Sequence, residues 1–113
     1  MLKECRQALR ITTEAYDGEL CSLMMAGAKD LKIAGVRIPG SVVFAETVSG
    51  SQSVWEDRSS LKDALVIRAI LTYVRAHFGS PNDYERLKES YNTQKVQLMN
   101  ASDYTDYDGG DSE

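Results

Sequence analysis

Between Leu61 and Phe78 the apolar residues Leu61, Ala64, Leu65, Ile67, Ile70, Leu71, Val74 and Phe78 cover well over half the circumference of a helix. A helix apolar around that much of its surface has to be covered on most sides. In a chain of 113 residues the cover must come from the rest of one small domain, so this segment commits the fold to a helical cluster around it. Ser60-Leu61-Lys62-Asp63 reads as the start of the helix and Gly79 as its close. Arg68 and Arg75 share one narrow face of it, which stays polar or meets a partner.

The covering elements are legible from their periodicity. Leu2, Cys5 and Leu9 fall on one side of a short opening helix. Leu20, Leu23, Met24, Gly27 and Leu31 form the buried stripe of a second, with Asp17 or Thr13 as its cap. Gly35 suits the left-handed position after its last turn, and Pro39-Gly40 prevents resumption, so it ends near Ile33 or Ala34. Ser80 and Pro81 open a last helix over about 81 to 101, with a narrow stripe of Tyr84, Leu87, Tyr91 and Leu98. Its outer half is expected either to rest on another protein or to pack simply on the body.

Residues 36 to 59 change character: Val42, Val43, Phe44, Val48, Val54 and Trp55 favour strands, and Ser49-Gly50-Ser51 punctuates them. They form a hairpin turning at Ser49 to Gln52 or a long loop, serving as a binding element or as a cover for the helices. The expected fold is thus mainly α, a compact bundle of about four helices with a long loop or small β-hairpin between helices 2 and 3. It occupies residues 1–102, followed by an acidic, flexible tail over 103–113. The expected core is Leu20, Leu23, Met24, Leu31, Leu65, Ile67, Ile70, Leu71, Val74, Phe78 and Leu87.

Charge narrows the function. The chain has 13 basic and 17 acidic residues, a net charge of -4. Asp103, Asp106, Asp108, Asp111 and Glu113 lie beyond the last basic residue, so residues 1–102 hold 13 bases against 12 acids, or +1. An acidic balance disfavours affinity built on neutralising phosphates. No apolar run approaches the roughly 20 residues that span a bilayer, and no secretory signal opens the chain, so synthesis in the cytosol is expected.

Catalytic motifs for phosphate cradling, zinc hydrolysis or a serine nucleophile are missing from the sequence. Cys5 and Cys21 sit on apolar helical stripes, and with His77 as the single histidine they cannot complete a four-ligand zinc site. Tyr84, Tyr91, Tyr104 and Tyr107 crowd the last thirty residues, and tyrosine is enriched at protein interfaces. The acidic, Tyr-containing tail therefore suits a basic protein groove, or else it solubilises the chain.

The string LRITTEAYDGELCSLMMAGAKDLKIAGV, then LKDALVIRAILTYVRAHFG and YERLKESYNTQKVQLMNASDY, resembles the small head-tail connector (adaptor or head-completion) proteins of long-tailed bacteriophages and prophages. The resemblance spans about 2 to 107 and is weakest over 36 to 59. It implies a structural subunit without catalysis or cofactor, forming a ring of about twelve copies under the portal protein and meeting a stopper or tail-completion protein. The free chain is expected to be monomeric, assembly to occur in the host cytoplasm, and DNA to pass through without sequence-specific binding. On this reading Tyr91, Leu98, Tyr104, Asp106 and Tyr107 are portal-interface candidates. Arg68, Arg75, Phe44 and Trp55 are ring-interface candidates, and Arg37, Glu46, Glu56 and Arg58 are lumen-loop candidates. The competing reading is a small prophage DNA-binding regulator of helix-turn-helix type, which needs clustered bases on a reading helix.

Overall fold

The computed structural model describes residues 1–79 and 82–101. Four helices, α1 (Leu2–Leu9), α2 (Asp17–Ile33), α3 (Ala64–His77) and α4 (Tyr84–Asn100), are joined by one antiparallel hairpin between α2 and α3, β1 (Phe44–Ser49) and β2 (Gln52–Asp57). The apolar α3 is central, packed on α1, α2 and α4. Ile70, Val66 and Val74 on α3 meet Leu20, Met24 and Leu31 from α2, Cys5 from α1, and Tyr91 and Leu98 from α4 in one core.

Local chemistry ends and begins these elements. Helix α2 stops in a Schellman motif: the Val36 N–H donates to the Leu31 carbonyl at 2.9 Å and the Gly35 N–H to Lys32 at 3.0 Å, with Gly35 left-handed at φ 96°. Leu31 and Val36, which the motif brings together, are both fully buried. Neither Thr13 nor Asp17 supplies a side-chain cap to α2. Tyr16 is the N-cap, and Asp17 opens the helix with its carboxylate turned to Arg6.

Helix α3 starts at Ala64 rather than at Ser60. Ser60 is taken by the hairpin, since its hydroxyl accepts the Ser41 N–H at 2.9 Å and its own N–H donates to the Ser41 carbonyl. The cap is Asp63, whose carboxylate accepts from Leu65 and Val66 N–H at 3.0 and 3.1 Å. The observed core differs from the expected one in one residue of this helix. Leu65, five positions from Ile70 and so about 140° away around the helix, is 54% exposed, while Val66 takes the inward place. Leu23, Ile67, Leu71 and Phe78 are half-buried against the core, and Leu20, Met24, Leu31, Ile70, Val74 and Leu87 are buried. The expected Ser80-Pro81 opening of the last helix lies outside the described residues; α4 itself begins at Tyr84.

The hairpin register pairs Phe44 with Asp57 and Ser49 with Gln52 across a Gly50-Ser51 turn. Backbone bonds from Arg58 to Val43 and from Ser60 and Leu61 to Ser41 extend the ladder to the root of the arm. Gly40 ends that ladder at φ +129°, where a Cβ would lie 2.8 Å from the Leu61 Cα.

The assignment of Val66 and Ile70 to the core and of Leu65 to the surface is testable in urea. Ile70→Ala should cost about 3 kcal/mol and Leu65→Ala no more than about 0.5 kcal/mol. Equal losses would show that Leu65 is covered within the subunit.

Candidate assembly surfaces

The hairpin arm is fixed at its root by one carboxylate. Asp57 Oδ2 accepts the Leu2 N–H at 2.8 Å and the Met1 ammonium at 2.6 Å, and Oδ1 accepts the Ser59 N–H at 2.9 Å. A carboxylate at the first turn of α1 also meets the positive end of that helix. Burial opposes ionisation of Asp57, yet the ammonium, the Leu2 N–H and Ser59 outweigh it and hold the carboxyl well below the usual carboxylate range. The Trp55 indole completes the root by lying over Gly18 of α2, where a Cβ would come within 3.4 Å of its ring nitrogen.

Beyond that root the arm is bare. Val48 and Val54 are 64% and 56% exposed, and both strands leave their outer edges unpaired. Phe44 and Trp55, ring-interface candidates, are half-buried with their inner sides against the core, so only part of each ring reaches solvent. Among the lumen candidates, Glu46 pairs with Trp55 on one face of the arm and Glu56 pairs with Ala45 on the other. Arg58 binds Glu56 at 3.0 Å, which neutralises two of the four. Arg37 is exposed but lies off the arm, just after α2.

A second surface runs along α3. Arg68 and Arg75 are exposed on one face, as their spacing requires, and neither is in an ion pair among the described residues. Together with Lys62 they border a shallow depression floored by Ile67 and Leu71. Arg68 also borders a groove of about 260 Å³ between the start of α3 and the end of α4, lined by Leu65, Gln94, Gln97, Leu98 and Ala101.

Helix α4 is clasped to the body through contacts that include the portal candidate Tyr91. The Tyr91 hydroxyl donates to Asp30 of α2, the Lys95 ammonium lies 3.2 Å from the same carboxylate oxygen, and the Tyr91 and Tyr73 rings meet edge to face at 5.3 Å. Tyr91 and Leu98, both portal candidates, are buried within the subunit. Burial opposes the charge of Asp30, but its bonds to Tyr91 and Lys95 prevail and lower its pKa, while burial and the Asp30 contact raise that of Tyr91. With Leu87 also buried, the apolar stripe of α4 is spent internally along its length. Tyr104, Asp106 and Tyr107 lie outside the described residues.

The groups that could carry chemistry are otherwise occupied. Burial pushes the Cys5 and Cys21 thiols up to about 11 and about 12, so both are protonated and enclosed at neutral pH. At the end of α3 the His77 ring lies tilted against Tyr73, centroids 4.3 Å apart, and meets Tyr84 edge to face at 6.1 Å. The exposed start of α4 offers Arg86 and Lys88 against Glu85 and Glu89, a balanced set unlike the basic face of a DNA-reading helix. Among the described residues no group of three or more His, Cys, Asp or Glu could hold a metal ion, and no helix is long and apolar enough to cross a membrane.

A family described as phage connector protein matches residues 1–105 of the chain. No curated protein and no solved structure matches it.

The carboxylate anchors make acid sensitivity predictable. Asp57 and Asp30, with an ordinary value of 3.8, and Glu4, with one of 4.5, are all lowered in the fold. Their stabilisation is present above those values and is lost as pH falls through the folded pKa of each. Asp57→Asn should cost about 2 kcal/mol at pH 7 and flatten the loss of stability below about pH 4. Superimposable acid-unfolding curves for the variant and the parent would remove Asp57 as the anchor of the arm.

Proposed function

The chain belongs to the phage connector protein family, and from that premise we propose that it is a ring subunit set beneath the capsid portal, extending the DNA channel and joining head to tail. The bare hairpin arm carries this reading. An arm rigidly rooted at Asp57 and Trp55 yet uncovered at Val48 and Val54 is suited to contact something beyond its own subunit. Ring closure places one face of a subunit on a different face of the next. The exposed parts of Phe44 and Trp55 on one copy and the Arg68/Arg75 face of the neighbour are the proposed pair.

The subunit serves a structural role. DNA passes through the ring without sequence-specific contact, because a ring of about twelve chains carries roughly -48 in all, a sign that repels a polyanion. The Glu56–Arg58 pair keeps the arm from presenting a free cation at that position. With Tyr91 and Leu98 committed to the core, portal docking falls to the tail, through Tyr104, Asp106 and Tyr107. The opposite end of the ring receives the stopper or tail-completion protein. The free chain is monomeric in the host cytoplasm, and ring formation follows portal binding at the head-tail junction.

Mixing the purified chain with its portal and viewing the product by electron microscopy tests the reading. A ring of the chain capping the portal is expected. Deleting residues 103–113 should leave helical circular dichroism unchanged and abolish co-sedimentation with the portal. Undiminished co-sedimentation takes docking away from the tail, and a full-length chain that never binds the portal overturns the connector role.

A further inference from the structure

The groove between the start of α3 and the end of α4 is left incomplete on three counts. Leu65, a large apolar side chain, is more than half exposed at its rim. On the α4 side, the Gln94 side-chain carbonyl oxygen is shut off from solvent and has no hydrogen-bond partner among the described residues. Buried acceptors are nearly always paired, so this one marks a donor that those residues do not provide. Arg68, one helical turn from Leu65, is exposed and in no ion pair among the described residues. An occupant therefore brings an apolar side chain, a hydrogen-bond donor and an acid close together.

The hairpin arm carries that trio on one face. Side chains alternate between the faces of a strand, and the register puts Glu46, Val48 and Ser53 on the same side, with Ser53 directly opposite Val48. All three are exposed, and Glu46 is in no ion pair among the described residues. Leu65 and Arg68 are about 5 Å apart along the axis of α3, and Glu46 and Val48 about 7 Å apart along β1. The length of the arginine side chain takes up the difference. The Ser53 hydroxyl stands about 5 Å from Val48, and Gln94 shares with Leu65 a groove of about 260 Å³. The opposite face of the arm offers Val54 with Glu56, but that acid is already bound to Arg58. Charge thus selects the Glu46 face. Within one chain the arm is rooted on the starts of α1 and α2 through Asp57 and Trp55, which assigns the groove to the arm of another copy.

We infer that the α3–α4 groove receives the hairpin arm of a second copy of this chain, with Val48 on Leu65, Glu46 on Arg68 and the Ser53 hydroxyl donating to the Gln94 carbonyl oxygen. The contact deepens the ring reading, on which it rests for its setting. Arm and groove are different parts of one surface, so a copy that fills its neighbour's groove still offers its own to the next. The buried acceptor and the single acid–arginine pair set the register of the arm, since a displaced arm leaves both unmet.

Disulfide trapping tests the contact. Full-length Val48→Cys and Leu65→Cys chains are mixed in equal amounts under mild oxidation, once with the portal and once without it. Cys5 and Cys21 are buried, so the introduced thiols are the accessible ones. A crosslinked pair of chains is expected, and far less of it when Val54→Cys, on the opposite face of the arm, replaces Val48→Cys. Adding Glu46→Arg to the Val48→Cys chain should lower the yield about tenfold, because two cations then meet, and adding Arg68→Glu to the Leu65→Cys chain should restore it. Equal trapping at Val54, or no recovery in the swapped pair, overturns the inference. A crosslink that forms only within a chain carrying both cysteines places the arm in its own groove and also overturns it. Rings on the portal without the Val48–Leu65 crosslink overturn the contact and leave the connector reading standing. The crosslink between chains that never bind the portal upholds the contact and overturns that reading, and its absence from both mixtures overturns the contact.

Discussion

The structure depends on covering one apolar helix. Helix α3 buries Val66, Ala69, Ile70 and Val74, and it is enclosed by α1, α2 and α4. A chain this short has little apolar surface left once that helix is covered. The hairpin consequently has no sheet or helix to lie against along its outer half, and the same shortage leaves its valines in solvent. The exposure of the arm is thus a consequence of where the core was spent.

Burial around α3 is strong but non-directional, and by itself it would tolerate several placements of the outer elements. Three carboxylates remove that freedom. Asp17, itself buried, accepts from Arg6 Nε at 2.9 Å and from Nη2 at 2.7 Å and ties α1 to the start of α2. Asp57 ties the arm to the start of α1, and Asp30 ties α4 to α2 through Tyr91 and Lys95. A two-point Arg–carboxylate pair fixes orientation as well as distance. Losing one partner of a largely enclosed pair leaves a stranded charge, a cost of several kcal/mol in buried settings and less at the half-exposed Lys95 contact. Orientation in this fold is therefore set by polar contacts and cohesion by the apolar ones.

That division explains what could be read from the sequence. Helical periods and turn residues act over a few positions, so α1, the end of α2 at Gly35 and the hairpin turn at Gly50-Ser51 were all legible. The clasps join residues far apart in the chain, 55 positions for Leu2 with Asp57 and 61 for Asp30 with Tyr91. No local pattern announces them. Leu65 was misplaced because the apolar residues of α3 run around most of its circumference, and five positions from Ile70 puts Leu65 about 140° off the inward face that Val66, four positions away, shares. Tyr91 illustrates a subtler confusion. A ring with a polar end suits a protein interface, but the same combination suits an internal boundary where the hydroxyl finds a carboxylate. Leu98 likewise completes the stripe that holds α4 down instead of leaving it for a partner.

Net charge is a poor guide to such a subunit unless its distribution is kept. The -4 of the chain consists of five acids after position 102 and a body of +1, so the body and the chain as a whole differ in sign. Arg6, Arg58, Arg86 and Lys95 are already paired inside the subunit, which leaves Arg68 and Arg75 on α3 among the cations open to an acidic partner.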